Sequence, residues 1–127
     1  MNDELLFIEQ ALWRPLTITK LLNRLKDELK AGRFDRDFED KLAVRGIPLF
    51  MVRKIINSKA SYIFKYYDRF DGTRRIGFWH PGNKYFLAWK PGRHSQFKTC
   101  FKKRRGLEYL SNLTEVKLSY LPTGEKR

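Results

Sequence analysis

Asp71-Gly72, Pro81-Gly82-Asn83 and Pro91-Gly92 interrupt the chain at ten-residue intervals. Each is a turn former: Asp-Gly supplies the positive φ of a tight hairpin, and the Pro-Gly pairs end any regular element that reaches them. The segments between them, TRRIGFWH (73–80) and KYFLAWK (84–90), are too short for helices and rich in aromatic residues, so they read as strands. YIFKYYDRF (62–70) and HSQFKTCFKK (94–103) flank them and read the same way, with Phe97, Thr99 and Phe101 expected on one face. Connections this short join antiparallel neighbours, so residues 62–103 are expected to form a meander.

Upstream the period changes. DELLFIEQALW (3–13) reads as a helix with acids in its first turn, where the helix dipole favours them. Pro15 suits the first turn of a second helix, in which Ile18, Leu21, Leu22, Leu25 and Leu29 make an apolar stripe that Gly32 can end. A third helix is expected from Asp35 to Gly46 with Phe38 and Leu42 on one face. A fourth opens at Pro48 with Leu49, Val52, Ile55 and Ile56 facing inward. After the meander, LEYLSNL (107–113) reads as a short helix and EVKLSYL (115–121) as a candidate last strand. Helices followed by a four- to five-stranded antiparallel sheet and a short C-terminal helix define an α+β domain. The 127 residues fit one such domain, with a neutral helical part (1–58) and a basic sheet part (59–127).

The net charge of +13 belongs almost wholly to the second part. Residues 1–50 hold nine basic and nine acidic side chains, whereas residues 51–127 hold eighteen and five. Between Asp71 and Glu108 there are ten Lys or Arg, two His and no acid. Such a field attracts polyanions, and nucleic acid is the partner it fits. A membrane is not expected as partner, because the basic region lacks the helical amphipathic period of a surface-lying helix and no apolar run approaches the length of a span. The acidic start (Asp3, Glu4) is unlike a secretory signal, and Cys100 is the single cysteine, so a cytoplasmic location is expected.

Arg69, Arg74, Arg75, Lys84, Lys90, Arg93, Lys103, Arg104 and Arg105 are candidates for phosphate contact, and Trp79 and Trp89 for stacking on bases. Metal-dependent hydrolysis would need clustered carboxylates, which strands 73–103 lack, and two His with one Cys do not make ligand spacing. No cofactor is therefore expected, and a nuclease centred here would use the 2′-hydroxyl of RNA as its nucleophile. His80 or His94 would act as acid or base, Lys98 and Lys102 would stabilise developing charge, and Thr99 would position the reacting group. Cys100 lies among cations that would lower its pKa.

The segment 68–113 resembles the C-terminal half of the barnase/EndoU/colicin/RelE-type nuclease superfamily, in its colicin D-like and polymorphic-toxin branches. Gly77, Phe78, Trp79, Pro81, Phe86, Ala88, Thr99, Phe101, Tyr109 and Leu110 carry the likeness. VRGIPLFMVRKII (44–56) is similar to the helix turn that precedes the sheet in some members. The resemblance implies helices before an antiparallel sheet, metal-independent cleavage of tRNA or mRNA, and an acidic neutralising protein as partner. Thr99 matches the hydroxyl position of the family pattern, whereas the helical-half His of colicin D-like members has no counterpart in residues 1–60.

Two other likenesses point to DNA binding without catalysis. Residues 38–57 resemble a helix-turn-helix, with Gly46 and Val52 at its usual separation, although IPLFMVRKII is mostly apolar where a reading helix must show polar side chains. Residues 74–101 resemble a three-stranded DNA-reading sheet of the plant ethylene-response or integrase-arm kind. The leading expectation is a nucleic-acid-binding, toxin-like ribonuclease acting on RNA, and the alternative is a DNA-binding module that uses the sheet or the helix-turn-helix.

Overall fold

The structure, a computed structural model, describes residues 15–68, 72–104 and 114–117. The helices expected over 3–13 and 107–113 lie outside those residues, as do Arg69, Asp71 and Arg105. The chain runs through helices α1 (Pro15–Ala31), α2 (Phe38–Arg45) and α3 (Leu49–Asn57) into strands β1 (Tyr62–Tyr67), β2 (Arg74–His80), β3 (Tyr85–Lys90), β4 (Gln96–Lys102) and β5 (Thr114–Lys117). The fold is α+β. Every strand pairing is antiparallel and the spatial order is β4-β3-β2-β1-β5, so the first four strands are the meander and β5 returns beside β1. No described helix is long and apolar enough to cross a membrane.

The helices stop where the sequence lets the backbone turn left-handed. At Gly32 (φ 70) the amide donates to the Leu29 carbonyl and the Arg33 amide to that of Glu28. Gly46 (φ 68) repeats the pattern, with the Ile47 amide on the Leu42 carbonyl and both of those side chains buried. A side chain bearing Cβ adopts such a φ at a cost, so both corners use glycine. Leu25 and Leu29 of α1, Phe38 and Leu42 of α2, and Val52, Ile55 and Ile56 of α3 then face one side of the sheet. Leu49, expected to face inward, is 40% exposed. Its angle around the helix is the inward one, but it belongs to the first turn, and the buried residues of α3 begin at Val52.

Alternation sorts the strands between two apolar faces. Ile63, Ile76, Phe78, Leu87, Trp89, Phe97 and Cys100 meet the helices. Phe64, Tyr66, Trp79, Phe86 and Ala88 form a second cluster on the other face, joined by Tyr62 and Phe101. An irregularity in the β3–β4 pairing sets Trp89 opposite Phe97 and Ala88 opposite Thr99. That extra residue corrects the expected alternation: Phe97 turns to the helix side, while Thr99 and Phe101 stay on the other. Phe97 there meets Phe34 and Phe38 at ring separations of 6.1 and 5.9 Å. Its backbone also bonds the Arg33 carbonyl and the Asp35 amide, which covers part of the β4 edge.

Gly77 is required by space rather than by φ. It pairs with Phe64 across β1 and β2, and a Cβ there would stand 2.5 Å from Cε2 of the fully buried Phe64 ring. That ring is held by Tyr66 and Phe86 at 5.9 and 5.6 Å, so it has little room to yield. Gly77→Ala is predicted to lower unfolding free energy by about 1–3 kcal/mol, the usual cost of overpacking, measured by urea denaturation. An unchanged midpoint would mean that the second cluster is loosely packed.

Candidate nucleic-acid interface

One end of the sheet is assembled from three segments. At the β2–β3 turn the Lys84 amide donates to the His80 carbonyl (2.6 Å), and Lys84 takes a positive φ of 61. The end of β4 is fastened to this turn, because the Lys103 amide donates to the Lys84 carbonyl (2.7 Å) and the Trp79 indole to the Lys103 carbonyl (3.1 Å). α3 reaches the same place at both ends, through Ser58 after its last turn, bonded to His80 at 3.0 Å, and through Met51 in its first turn, which Asn83 contacts at 3.4 Å. Lys54, Lys59, Lys84, Lys102 and Arg104 are exposed around this junction, with Lys103 half-buried. The segments that build it, 41–67 and 72–104, contain no Asp or Glu. A cluster of one sign, whose own described segments supply no acid, is the kind of surface that attracts polyanions.

His80 holds this end together and is not placed to exchange protons with a ligand. The Asn83 amide donates to its Nδ1 at 3.1 Å, so the proton of the neutral ring sits on Nε2 and is donated to the Ser58 hydroxyl. Burial holds the imidazole below its ordinary range, and the Lys54 ammonium nearby adds to that. The ring is 7% exposed. His94 lies exposed in the β3–β4 connection, at the far end of β3. Six residues of strand separate the two histidines by about 20 Å, so they do not share a scissile phosphate.

Other expected residues are likewise spent inside the fold. Lys98 pairs with Asp35 at 3.1 Å. Arg45 donates to the Thr99 hydroxyl oxygen at 3.0 Å and to the Cys100 carbonyl at 2.8 Å, and it lies 5.8 Å from the centre of the Phe101 ring. Arg75 is buried and pairs with Asp68 at 3.1 Å. Trp79 and Trp89, candidates for stacking on bases if exposed, are 8% and 1% exposed. Each belongs to one of the two apolar clusters, so neither face of the sheet offers them to a ligand. Cys100 is fully buried, and burial pushes its thiol up to about 12, outweighing the lowering expected from neighbouring cations, of which Arg45 is the one that acts on it. Arg74 and Lys90 are half-buried at strand ends.

The opposite end carries a polar network that sequence reasoning missed. Glu28, buried on α1, accepts from the Trp89 indole (2.9 Å), the Ser95 hydroxyl (2.5 Å) and Arg24 Nε (3.1 Å). Burial alone would raise its pKa, but the Ser95, Trp89 and Arg24 donors and the Arg24 charge outweigh it and hold the carboxylate below its usual range. Arg24 also lies 5.5 Å over the Trp89 ring. Beside it is an open cleft that Arg33 and Arg93 help to line, with Asp27 and Glu28 in the same wall. Acids balance cations here, unlike at the α3 end. The signal for Glu28 was its place between Leu25 and Leu29 in the inward stripe; that for Lys54 and Lys59 was the second acid-free run, 41–67.

Among the described residues no group of three or more His, Cys, Asp or Glu is gathered as a metal site. No family model matches the chain, and no characterised protein or solved structure matches it.

A histidine held neutral makes stability pH-dependent. With the folded pKa below the unfolded value of about 6.5, the stabilisation is complete above that value and is lost as pH falls through the lower, folded one. The urea midpoint of the wild type is predicted to fall between pH 7.5 and pH 5. His80→Gln is predicted to start lower and to lose less over the same interval. Equal losses in the two proteins would place the pH sensitivity elsewhere.

Proposed function

We propose that this protein binds nucleic acid through its phosphate backbone, using the basic end built from Lys54, Lys59, Lys84, Lys102, Lys103 and Arg104. The observation that carries this reading is the meeting of cations from α3, the β2–β3 turn and the end of β4 in segments without one acidic side chain. Lysines and arginines so placed displace counterions from a nucleic acid and need no base to be unstacked. The burial of Trp79 and Trp89 supports contact by charge over contact by stacking.

The same geometry argues against the ribonuclease reading. Its acid–base pair would be divided between two ends of the sheet, Lys98 is engaged by Asp35, and the Thr99 oxygen by Arg45. The sheet alternative for DNA reading requires an open sheet face, and both faces here are apolar clusters of buried residues. Binding without cleavage is the function that these contacts favour.

Fluorescence anisotropy with a labelled duplex tests the reading across 50–200 mM KCl. Log affinity is predicted to fall linearly with log salt, by about 0.9 for each phosphate neutralised. Lys84→Ala/Lys102→Ala, two exposed substitutions, is predicted to cut that slope by about two with no change in the thermal midpoint. Labelled RNA in EDTA is predicted to stay intact. An unaltered slope in the double variant, or binding that ignores salt, would remove the proposed interface, and cleavage would restore the enzyme.

A further inference from the structure

We infer that α3 enters the major groove of B-form DNA and reads base edges with Arg53 and Asn57. The inference rests on the nucleic-acid reading above and gives it a substrate class. α3 turns Val52, Ile55 and Ile56 onto the sheet, which accounts for most of the apolar character of IPLFMVRKII. Phe50, Arg53, Lys54 and Asn57 are exposed, at spacings i, i+3, i+4 and i+7, so they share the opposite face.

The chemistry of that face is specific. Arginine matches the two acceptors of guanine, and asparagine matches the acceptor–donor pair of adenine, each through two hydrogen bonds. Phe50, 63% exposed, offers an apolar contact of the kind a thymine methyl accepts. Arg24, Arg45 and Arg75 are committed to Glu28, to the β4 edge and to Asp68, whereas the side chains of Arg53 and Asn57 make no hydrogen bond or ion pair to another described residue. No acid lies on α3 or anywhere between Asp40 and Asp68, so nothing on this face repels phosphate.

The dimensions also agree. A helix with its side chains is about 10–12 Å across, and the major groove of B-DNA is about 12 Å wide. The deep, narrow major groove of A-form RNA excludes such a helix, which is why the substrate is DNA. Lys54 shares the outward face, and its ammonium is near enough to His80 to act on that ring. Lys84 in the β2–β3 turn and Lys102 beside it at the end of β4 are placed to grip phosphates beside the groove. Base readout by the helix and positioning by the flanking lysines then come from one continuous surface.

The test is selection of the full chain on a randomised duplex DNA library, followed by affinities for an enriched and a scrambled duplex. The expected result is an enriched sequence. Arg53→Ala and Asn57→Ala should each cut the ratio between enriched and scrambled affinity by about fivefold to a hundredfold. Lys84→Ala should weaken both duplexes alike and leave the ratio unchanged. The two α3 substitutions are on an exposed face, and unchanged thermal midpoints will show that they act on binding. Three results would overturn the inference while the nucleic-acid reading survives: equal, salt-sensitive binding of all duplexes, a ratio that persists in Arg53→Ala/Asn57→Ala, or tighter binding of duplex RNA. Failure to bind any nucleic acid at low salt would remove both.

Discussion

The join between helices and sheet depends on one buried carboxylate. Trp89 fills the helix-covered face of β3, and its indole N–H must find an acceptor where water is excluded. Glu28 supplies it from α1, and its remaining acceptor capacity is taken by Ser95 and Arg24. Hydrogen bonds to an ionised group are among the stronger ones, at about 1.5–3 kcal/mol each, and an unmatched buried carboxylate is correspondingly costly. The rotation of α1 is therefore fixed: Glu28 must meet β3 and the β3–β4 connection together. With Glu28 so placed, Leu25 and Leu29 on either side of it turn inward, and α3 packs against both α1 and the sheet.

A sheet closed on both faces has only its ends, its edges and the outer surfaces of its helices for contact with other molecules. The β4 edge is occupied by residues 33–35 and by Arg45. At the end that carries Ser95, carboxylates neutralise much of the arginine charge. At the other end the described segments 41–67 and 72–104 supply no carboxylate, and the turn geometry pushes Lys84 outward while His80 is drawn in as a fastening. Exposed cations are thereby displaced from the aromatic strands, where composition alone would place them, to a rim and the adjoining helix.

The elements themselves were legible in the sequence. Turn formers at ten-residue intervals defined β1 to β4, and the stripe of α1 with Gly32 and Gly46 defined the helices. What alternation could not supply was the irregularity opposite Ala88, which moves Phe97 to the other face. The chemical roles were less legible. His80, Lys98 and Thr99 have catalytic side chains by type, but type does not reveal partners, and their partners Ser58, Asp35 and Arg45 lie 22, 63 and 54 residues away. Asp35 and Arg45 come from the helical half, which reads as neutral scaffold when charges are counted by segment. An apolar composition likewise hid the outward face of α3, because a nine-residue helix packed on one side can be mostly apolar and still show a polar surface.

The distribution of acids gives the charge excess a direction. Asp27, Glu28, Asp35, Asp37, Glu39 and Asp40 are confined to α1, α2 and their connection, and Asp35 and Glu28 there hold Lys98 and Arg24. A charge excess that served solubility alone would mix signs around the molecule. Here the acids on α1 and α2 offset much of the basic charge around them, while the segments of the α3 end, 41–67 and 72–104, carry none. Crowding like charges at that end raises the energy of the unliganded protein, and a partner with regularly spaced negative charges relieves the repulsion as it binds. On the proposed reading, that asymmetry would bring the outer face of α3 first to a phosphate-lined groove.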